Sequence, residues 1–216
     1  MRIGSFGKSV KGKNHFENED NLLIDERFRL FAVADGVTME GGGREASQRV
    51  MKYLKESFKG DLEGAMEEME NKYVKESLKE GFKGCTTISA VHLHENLLKV
   101  CNVGDSLVFL FREGELEILT RVDKVPGTSI LIQAIGRRPI SIYSVEKELK
   151  EGDYIILATD GITDILNWME IVDIVKKFKD PNAIVDEMIK EAERKFKVYD
   201  DDKTVIVIRV IEWALI

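Results

Sequence analysis

Phe28-Arg29-Leu30-Phe31-Ala32-Val33-Ala34-Asp35-Gly36 is an apolar run that stops abruptly at a carboxylate followed by a glycine. It is too short for an ordinary helix and rich in β-formers, which predicts a buried strand that delivers Asp35 at its end. Far downstream, Tyr154-Ile155-Ile156-Leu157-Ala158-Thr159-Asp160-Gly161 repeats the pattern and delivers Asp160 in the same way. Acids at the ends of buried strands are costly to desolvate, and two of them brought together repel unless a cation sits between them. Oxygen ligands of this kind suit Mg²⁺ or Mn²⁺ rather than zinc. Taken singly, each Asp-Gly suits a turn equally well, so the metal reading needs further acids.

Upstream, residues 1 to 13 read as an edge strand and a turn, with apolar Ile3 and Phe6. The polar cluster His15-Phe16-Glu17-Asn18-Glu19-Asp20-Asn21 then leads into Leu22-Leu23-Ile24, and a turn at Asp25-Glu26-Arg27 makes a hairpin with the Asp35 strand. This places Glu19 and Asp20 near one end of a sheet. Beyond Asp35, a loop with three consecutive glycines at 41–43 precedes two amphipathic helices. The first runs through Ala46, Val50, Tyr53, Leu54, Ser57 and Phe58, the second through Leu62, Ala65, Met66, Met69, Tyr73, Val74 and Leu78. The methionines stand at core spacing and read as packing.

From Gly84 the period switches to strands at 86–93, 97–103, 107–111 and 116–119, which read as an antiparallel meander broken at Gly104-Asp105-Ser106. Residues 120–134 connect to Ile135-Gly136, and a strand at 140–149 precedes the second Asp-Gly strand. Helices follow at 168–178 and 181–196, then Asp200-Asp201-Asp202-Lys203 and a last strand at 204–210. Strands, two helices, strands, two helices, strand: the order predicts one α/β (α+β) layered domain over residues 1–216, with mostly antiparallel sheets.

The chain of 216 residues is 44% apolar, enough for a substantial core, and its net charge of −7, with no sustained Lys/Arg cluster, argues against nucleic acid or an anionic membrane as partner. No apolar run reaches the length of a membrane span, and the first residues carry no signal segment, so a cytoplasmic monomer is expected. Cys85 and Cys101 lie in or beside apolar strand-like runs and read as small buried thiols. His92 and His94 share a strand face without a third ligand and read as surface residues at a hairpin end.

The acids at element boundaries are Glu19, Asp20, Asp35, Asp105, Asp160, Asp164 and Asp201. They are single acids at the tips of apolar segments, which solvation alone does not explain. Asp160 and Asp164, four apart, can face one centre if a helical turn starts after Gly161.

In order and spacing across nearly the whole chain, these motifs resemble the metal-dependent serine/threonine protein phosphatases of the 2C type (PPM family). Asn18-Glu19-Asp20 is similar to that family's first acidic motif and Val33-Ala34-Asp35-Gly36 to its Asp-Gly motif. Gly84-Cys85-Thr86-Thr87, Asn102-Val103-Gly104-Asp105-Ser106, Leu119-Thr120 and Ala134-Ile135-Gly136 resemble successive later motifs. Thr159-Asp160-Gly161-Ile162-Thr163-Asp164 resembles its Ser-Asp-Gly motif, and Asp201-Asp202-Lys203-Thr204 its closing motif.

The resemblance implies a four-layer α-β-β-α sandwich of two stacked antiparallel sheets, with two Mn²⁺ or Mg²⁺ ions at one end and a third as a further possibility. It implies that Asp35 bridges the ions, that the Gly36 carbonyl, Asp160 and Asp201 complete the direct ligands, and that Glu19 and Asp20 act through water. Asp105 and Asp164 fall on a third, weaker site. The implied reaction is hydrolysis of phosphoserine or phosphothreonine in a phosphoprotein by an activated water, with no covalent phosphoenzyme. The alternative is a phosphatase-like binding module with weak or no turnover.

The sequence departs from the family pattern at His15, where a phosphate-binding Arg is usual and which is therefore the expected phosphate contact. Glu40 falls where a His is common, Leu107 replaces an Arg and Asp202 an Asn. The stretch 120–136 is short, so the flap beside the active site is reduced or absent.

Overall fold

The alternation of side chains along the two organising runs sets the layers. The computed structural model describes residues 1–37, 41–195 and 199–212; Glu40 and the last residue of the expected 181–196 helix lie outside them. The elements are β1 (Arg2–Val10), β2 (Asn21–Asp25), β3 (Leu30–Ala34), α1 (Gly43–Ser57), α2 (Leu62–Glu80), β4 (Ile88–His94), β5 (Leu97–Val103), β6 (Leu107–Arg112), β7 (Glu115–Ile118), β8 (Tyr143–Glu148), β9 (Tyr154–Ala158), α3 (Asp160–Thr163), α4 (Trp168–Lys177), α5 (Pro181–Lys195) and β10 (Lys203–Glu212).

Two five-stranded sheets, ordered β1-β10-β9-β6-β7 and β2-β3-β4-β5-β8, have antiparallel pairings throughout. Phe31 and Val33 of β3 meet Ile155 and Leu157 of β9 and Ile206 and Ile208 of β10 between the sheets. The alternate residues of β3, Leu30, Ala32 and Ala34, pack under α1 and α2 with Met66, Met69 and Tyr73. On the other side Ile156 and Ala158 pack under α4 and α5 with Ile174, Val185 and Met188. Both faces of β3 and β9 are therefore buried, which is why these strands read as unbroken apolar runs. Each large side chain so buried contributes about 1.5–3 kcal/mol. The result is the expected four-layer α-β-β-α sandwich.

The expected meander is corrected at its middle. β5 pairs with β4 and β8, whereas β6 pairs with β7 and β9 in the other sheet. Gly104, at φ +104°, turns the chain from one sheet to the other, a conformation that glycine adopts without strain. Its carbonyl accepts from Asn102 Nδ2 at 3.2 Å, so the crossing is tied to the strand it leaves. In α2 the buried row steps through Met66, Met69, Tyr73 and Ser77, and Leu78, expected inside, is 79% exposed. His94 is exposed as expected, but His92 is half-buried with its ring 4.7 Å from that of Phe58.

Candidate metal centre

Strand register carries the acids to one end of the sandwich. Ala34 pairs with Asn21, so Asp35 and Asp20 leave the same end of one sheet. In the other sheet Ala158 pairs with both Leu107 and Val205, which sets Asp160 beside the segments carrying Asp105 and Asp201. The sheet-to-sheet crossing at Gly104 runs over that same end. A cavity of about 570 Å³ opens there, lined by Asp35, Gly36, Asp105, Asp160, Asp164 and Asp201 among others. Glu19 and Asp20 are not among the lining residues, and Asp20 is buried.

The backbone under each acid is fixed by motif residues. The Asp35 carbonyl accepts from Thr87 N at 2.8 Å and from Thr86 Oγ1 at 2.8 Å, while Asp35 N donates to Thr87 Oγ1 at 3.0 Å. Gly36 N donates to the Glu19 carbonyl at 3.2 Å. A Cβ on Gly36 would lie 2.3 Å from the Gly43 carbonyl oxygen, so the first turn of α1 sits directly against it. Thr159 Oγ1 donates to Asp20 Oδ2 at 2.8 Å, and Thr204 N donates to Thr159 Oγ1 at 3.0 Å, binding the two sheets together at the site. The helical turn α3 begins at Asp160 itself, before Gly161 rather than after it as expected, and Asp164 N donates back to the Asp160 carbonyl at 2.8 Å.

Asp201 rides on a segment tied down from both sides. Lys203, 1% exposed, is ion-paired with Asp200 and donates to the Asp201 carbonyl at 2.8 Å. Asp202 accepts from Gly12 N at 2.7 Å and from Glu19 N at 2.7 Å. His15 Nδ1 pairs with Asp202 Oδ2 at 2.8 Å, and Nε2 lies 3.3 Å from Asp201 Oδ1 and against the Tyr199 hydroxyl. Both nitrogens of the expected phosphate contact are thus taken up by neighbours, two of them acids. Two departures from the family pattern, His15 and Asp202, are each other's partners.

The electrostatics are those of crowded like charges. Burial lifts Asp35 well above the usual carboxylate range, and Asp160, Asp20, Asp201 and Asp105 push it further. Asp20 is raised by burial against the opposing bonds of Thr204 and Thr159. Burial and Asp160 push both Asp105 and Asp201 up to about 6. Burial lowers His15, but the bond and charge of Asp202, with Asp201 and Glu19, outweigh it and raise the ring's pKa.

Asp35, Asp105 and Asp160 each offer a carboxylate oxygen within 4.8 Å of the others, and His15, Asp201 and Asp202 do the same with one atom each. The buried Oδ1 atoms of Asp20 and Asp105 have no hydrogen-bond partner. Buried acceptors left unpaired are costly, and an oxygen-rich cluster with orphaned acceptors fits a hard divalent cation. Cys85 and Cys101 are buried and form no disulfide with each other, and burial pushes the Cys101 thiol up to about 11. That thiol is inert as a nucleophile.

The spacing of the motifs did not reveal Lys124. Its ammonium lies 2.9 Å from Asp105 Oδ2, 3.1 Å from Asp160 Oδ2 and 3.0 Å from Asp164 Oδ2. The only signal for it was its place in the short connection between two motifs.

The family model for stage II sporulation protein E (SpoIIE) matches residues 47–211. Probable protein phosphatase 2C 58 of Arabidopsis thaliana is 27% identical, over 93% of this chain and 85% of that protein. The crystal structure of the Mycobacterium tuberculosis serine/threonine phosphatase PstP/Ppp superposes with a TM-score of 0.87 at 23% identity, covering 97% of this chain and 99% of that one. The PstP catalytic domain in complex with two manganese ions superposes at 0.85 with 24% identity, over 97% and 99% of the two chains. With the fold, the clustered acids and these relatives in agreement, the chain belongs to the SpoIIE family and is a metal-dependent protein serine/threonine phosphatase of the 2C (PPM) type.

Proposed function

We propose that the chain removes phosphate from phosphoserine and phosphothreonine in proteins, with Asp35, Asp160, Asp201 and the Gly36 carbonyl as direct ligands of two Mn²⁺ or Mg²⁺ ions. Glu19 and Asp20 act through water. The observation that carries the reading is the convergence of Asp35, Asp160 and Asp201, from both sheets, on one cavity of about 570 Å³. When bound, the ions supply a water of lowered pKa and offset charge on the phosphoryl oxygens.

The chain's own residues set the stage for that chemistry. Thr86 and Thr87 hold the Asp35 backbone, and Thr159 aims Asp20. His15 and Asp202 hold the Asp201 segment, and a phosphate contact by His15 would require its ring to give up Tyr199 or Asp201. A binding module without turnover is not favoured, because the relatives and structural neighbours are phosphatases.

The reading extends to a monomer that acts in cytoplasmic signalling. The two buried thiols, Cys85 and Cys101, support a reducing compartment. Among the described residues no helix is long and apolar enough to cross a membrane.

The test is phosphate release from p-nitrophenyl phosphate and from a phosphothreonine peptide in Mn²⁺. Asp35→Asn, Asp160→Asn and Asp201→Asn should each lower the rate by about 100-fold or more, beyond what loss of a merely supporting group costs, with the circular dichroism spectrum unchanged. Activity that survives excess EDTA, or variants that keep the wild-type rate, would overturn the assignment.

A further inference from the structure

Lys124 stands where the resemblance places a weak third ion, between Asp105 and Asp164. An ammonium has three N–H donors and no acceptor, and three carboxylates, those of Asp105, Asp160 and Asp164, take all of them. The side chain is 13% exposed.

The backbone that delivers this lysine is held without the ammonium's help. The neighbouring Asp123, 5% exposed, accepts from Gly104 N at 3.3 Å, Gln133 Nε2 at 2.5 Å and Arg121 Nε at 2.6 Å. Asp123 N donates to the Gly104 carbonyl at 3.1 Å, and Ile132 N donates to the Asp123 carbonyl at 2.7 Å. Lys124 itself forms an antiparallel bridge with Leu131. The shortened connection is thus fastened to the same turn that carries Asp105, so lysine and acid are positioned as one unit.

A third divalent ion does not fit beside it. Mg²⁺ demands oxygen ligands at about 2.0–2.1 Å in near-ideal geometry, and here the lysine nitrogen already sits 2.9 and 3.0 Å from the two oxygens such an ion would use. Two cations sharing those oxygens would face each other at short range in a partly dry cleft, where repulsion is weakly screened.

We propose that Lys124 is a built-in third cation, whose ammonium takes the third-ion position between Asp105 and Asp164 and limits the centre to two divalent ions. The inference rests on the two-ion reading. Lys124 contacts Asp160 through Oδ2; a carboxylate has a second oxygen, so Asp160 can serve the ammonium and an ion together. Lys124 is a positioning residue, because it acts on the ions through Asp160. Its charge is present at any metal concentration, which removes the dependence on a weakly held third ion.

The test counts Mn²⁺ on the full folded chain, by electron paramagnetic resonance of free Mn²⁺ during titration into the millimolar range. Wild type should bind two ions per chain, and Asp164→Asn in the wild-type background should also bind two. Lys124→Met should gain a third, weaker ion, and Lys124→Met with Asp164→Asn should return to two. Lys124→Arg, which keeps the charge, should stay at two. Three ions on wild type, loss of an ion in Asp164→Asn, or only two on a Lys124→Met variant that melts cooperatively would overturn the inference. The wild-type and Asp164→Asn counts decide it even if Lys124→Met does not fold. No bound ion on wild type would instead overturn the two-ion reading, and this inference with it.

Discussion

His15 and Asp202 show how a pair of residues can differ from the family pattern and still make sense together. Asp202 is 2% exposed and accepts from two backbone amides as well as from His15, so its charge is compensated by three donors. His15 in turn braces Asp201, an expected direct ligand, through Nε2 at 3.3 Å. Groups that orient a ligand typically change metal affinity or activity 10–100-fold when lost. His15→Gln should therefore weaken Mn²⁺ binding by about 10–100-fold while KM for p-nitrophenyl phosphate at saturating Mn²⁺ changes less than about twofold. Calorimetric Mn²⁺ titration beside steady-state kinetics separates this from a direct phosphate contact, which would raise KM and leave Mn²⁺ affinity alone. That His15 belongs to the site was legible from its spacing to Asp20. Its partners were not, because it meets Asp202 across 187 positions of sequence, and no local pattern reports such a pairing.

At the level of elements, the strands were legible because both faces of β3 and β9 are buried, leaving unbroken apolar runs. The change of sheet at Gly104 was not, since a glycine-containing turn looks the same in sequence whether the next strand folds back or crosses over; the choice is made by distant partners. Lys124 was equally silent, one of 32 Lys and Arg residues in a connection without periodicity. The Asp-Gly pairs, by contrast, said more than a turn. A Cβ on Gly161 would lie 1.9 Å from the Asp202 carbonyl oxygen, so α3 is pressed onto the segment that carries Asp201. Gly161→Ala must push these two backbones apart and separate Asp160 from Asp201. It should cost about 1–3 kcal/mol, the usual range for overpacking, and weaken Mn²⁺ binding at the same time. Urea midpoints and Mn²⁺ titration check both effects, and a variant with unaltered midpoint and affinity would contradict the close packing.

For the molecule as a whole, the acids gathered from both sheets are a liability that a cation relieves. Asp105 and Asp201 stand at about 6 against an ordinary aspartate value of 3.8, and Asp20 and Asp35 are raised well above it. For the nearly buried Asp105, an upward change of this size corresponds to about 3 kcal/mol disfavouring the ionised form. The sign follows from proton counts. Between about pH 4 and 6 the unfolded chain has released these protons while the folded chain still holds them, so stability falls as pH rises. The opposite drift, from acids lowered by partners such as Asp200 beside Lys203, belongs below about pH 4.

Bound Mn²⁺ at 100 times its Kd adds about 2.7 kcal/mol per site, or about 5–10 °C in Tm for a domain of this size. Thermal melting of metal-stripped protein from pH 4 to 7.5, with and without Mn²⁺, decides whether the strand-end acids form a cation site. The Tm should decline as pH climbs through 4 to 6 without metal and recover by at least about 5 °C at pH 7 when Mn²⁺ is added. A Tm that is flat or rising over that range without metal, and unmoved by Mn²⁺ at pH 7, would contradict it.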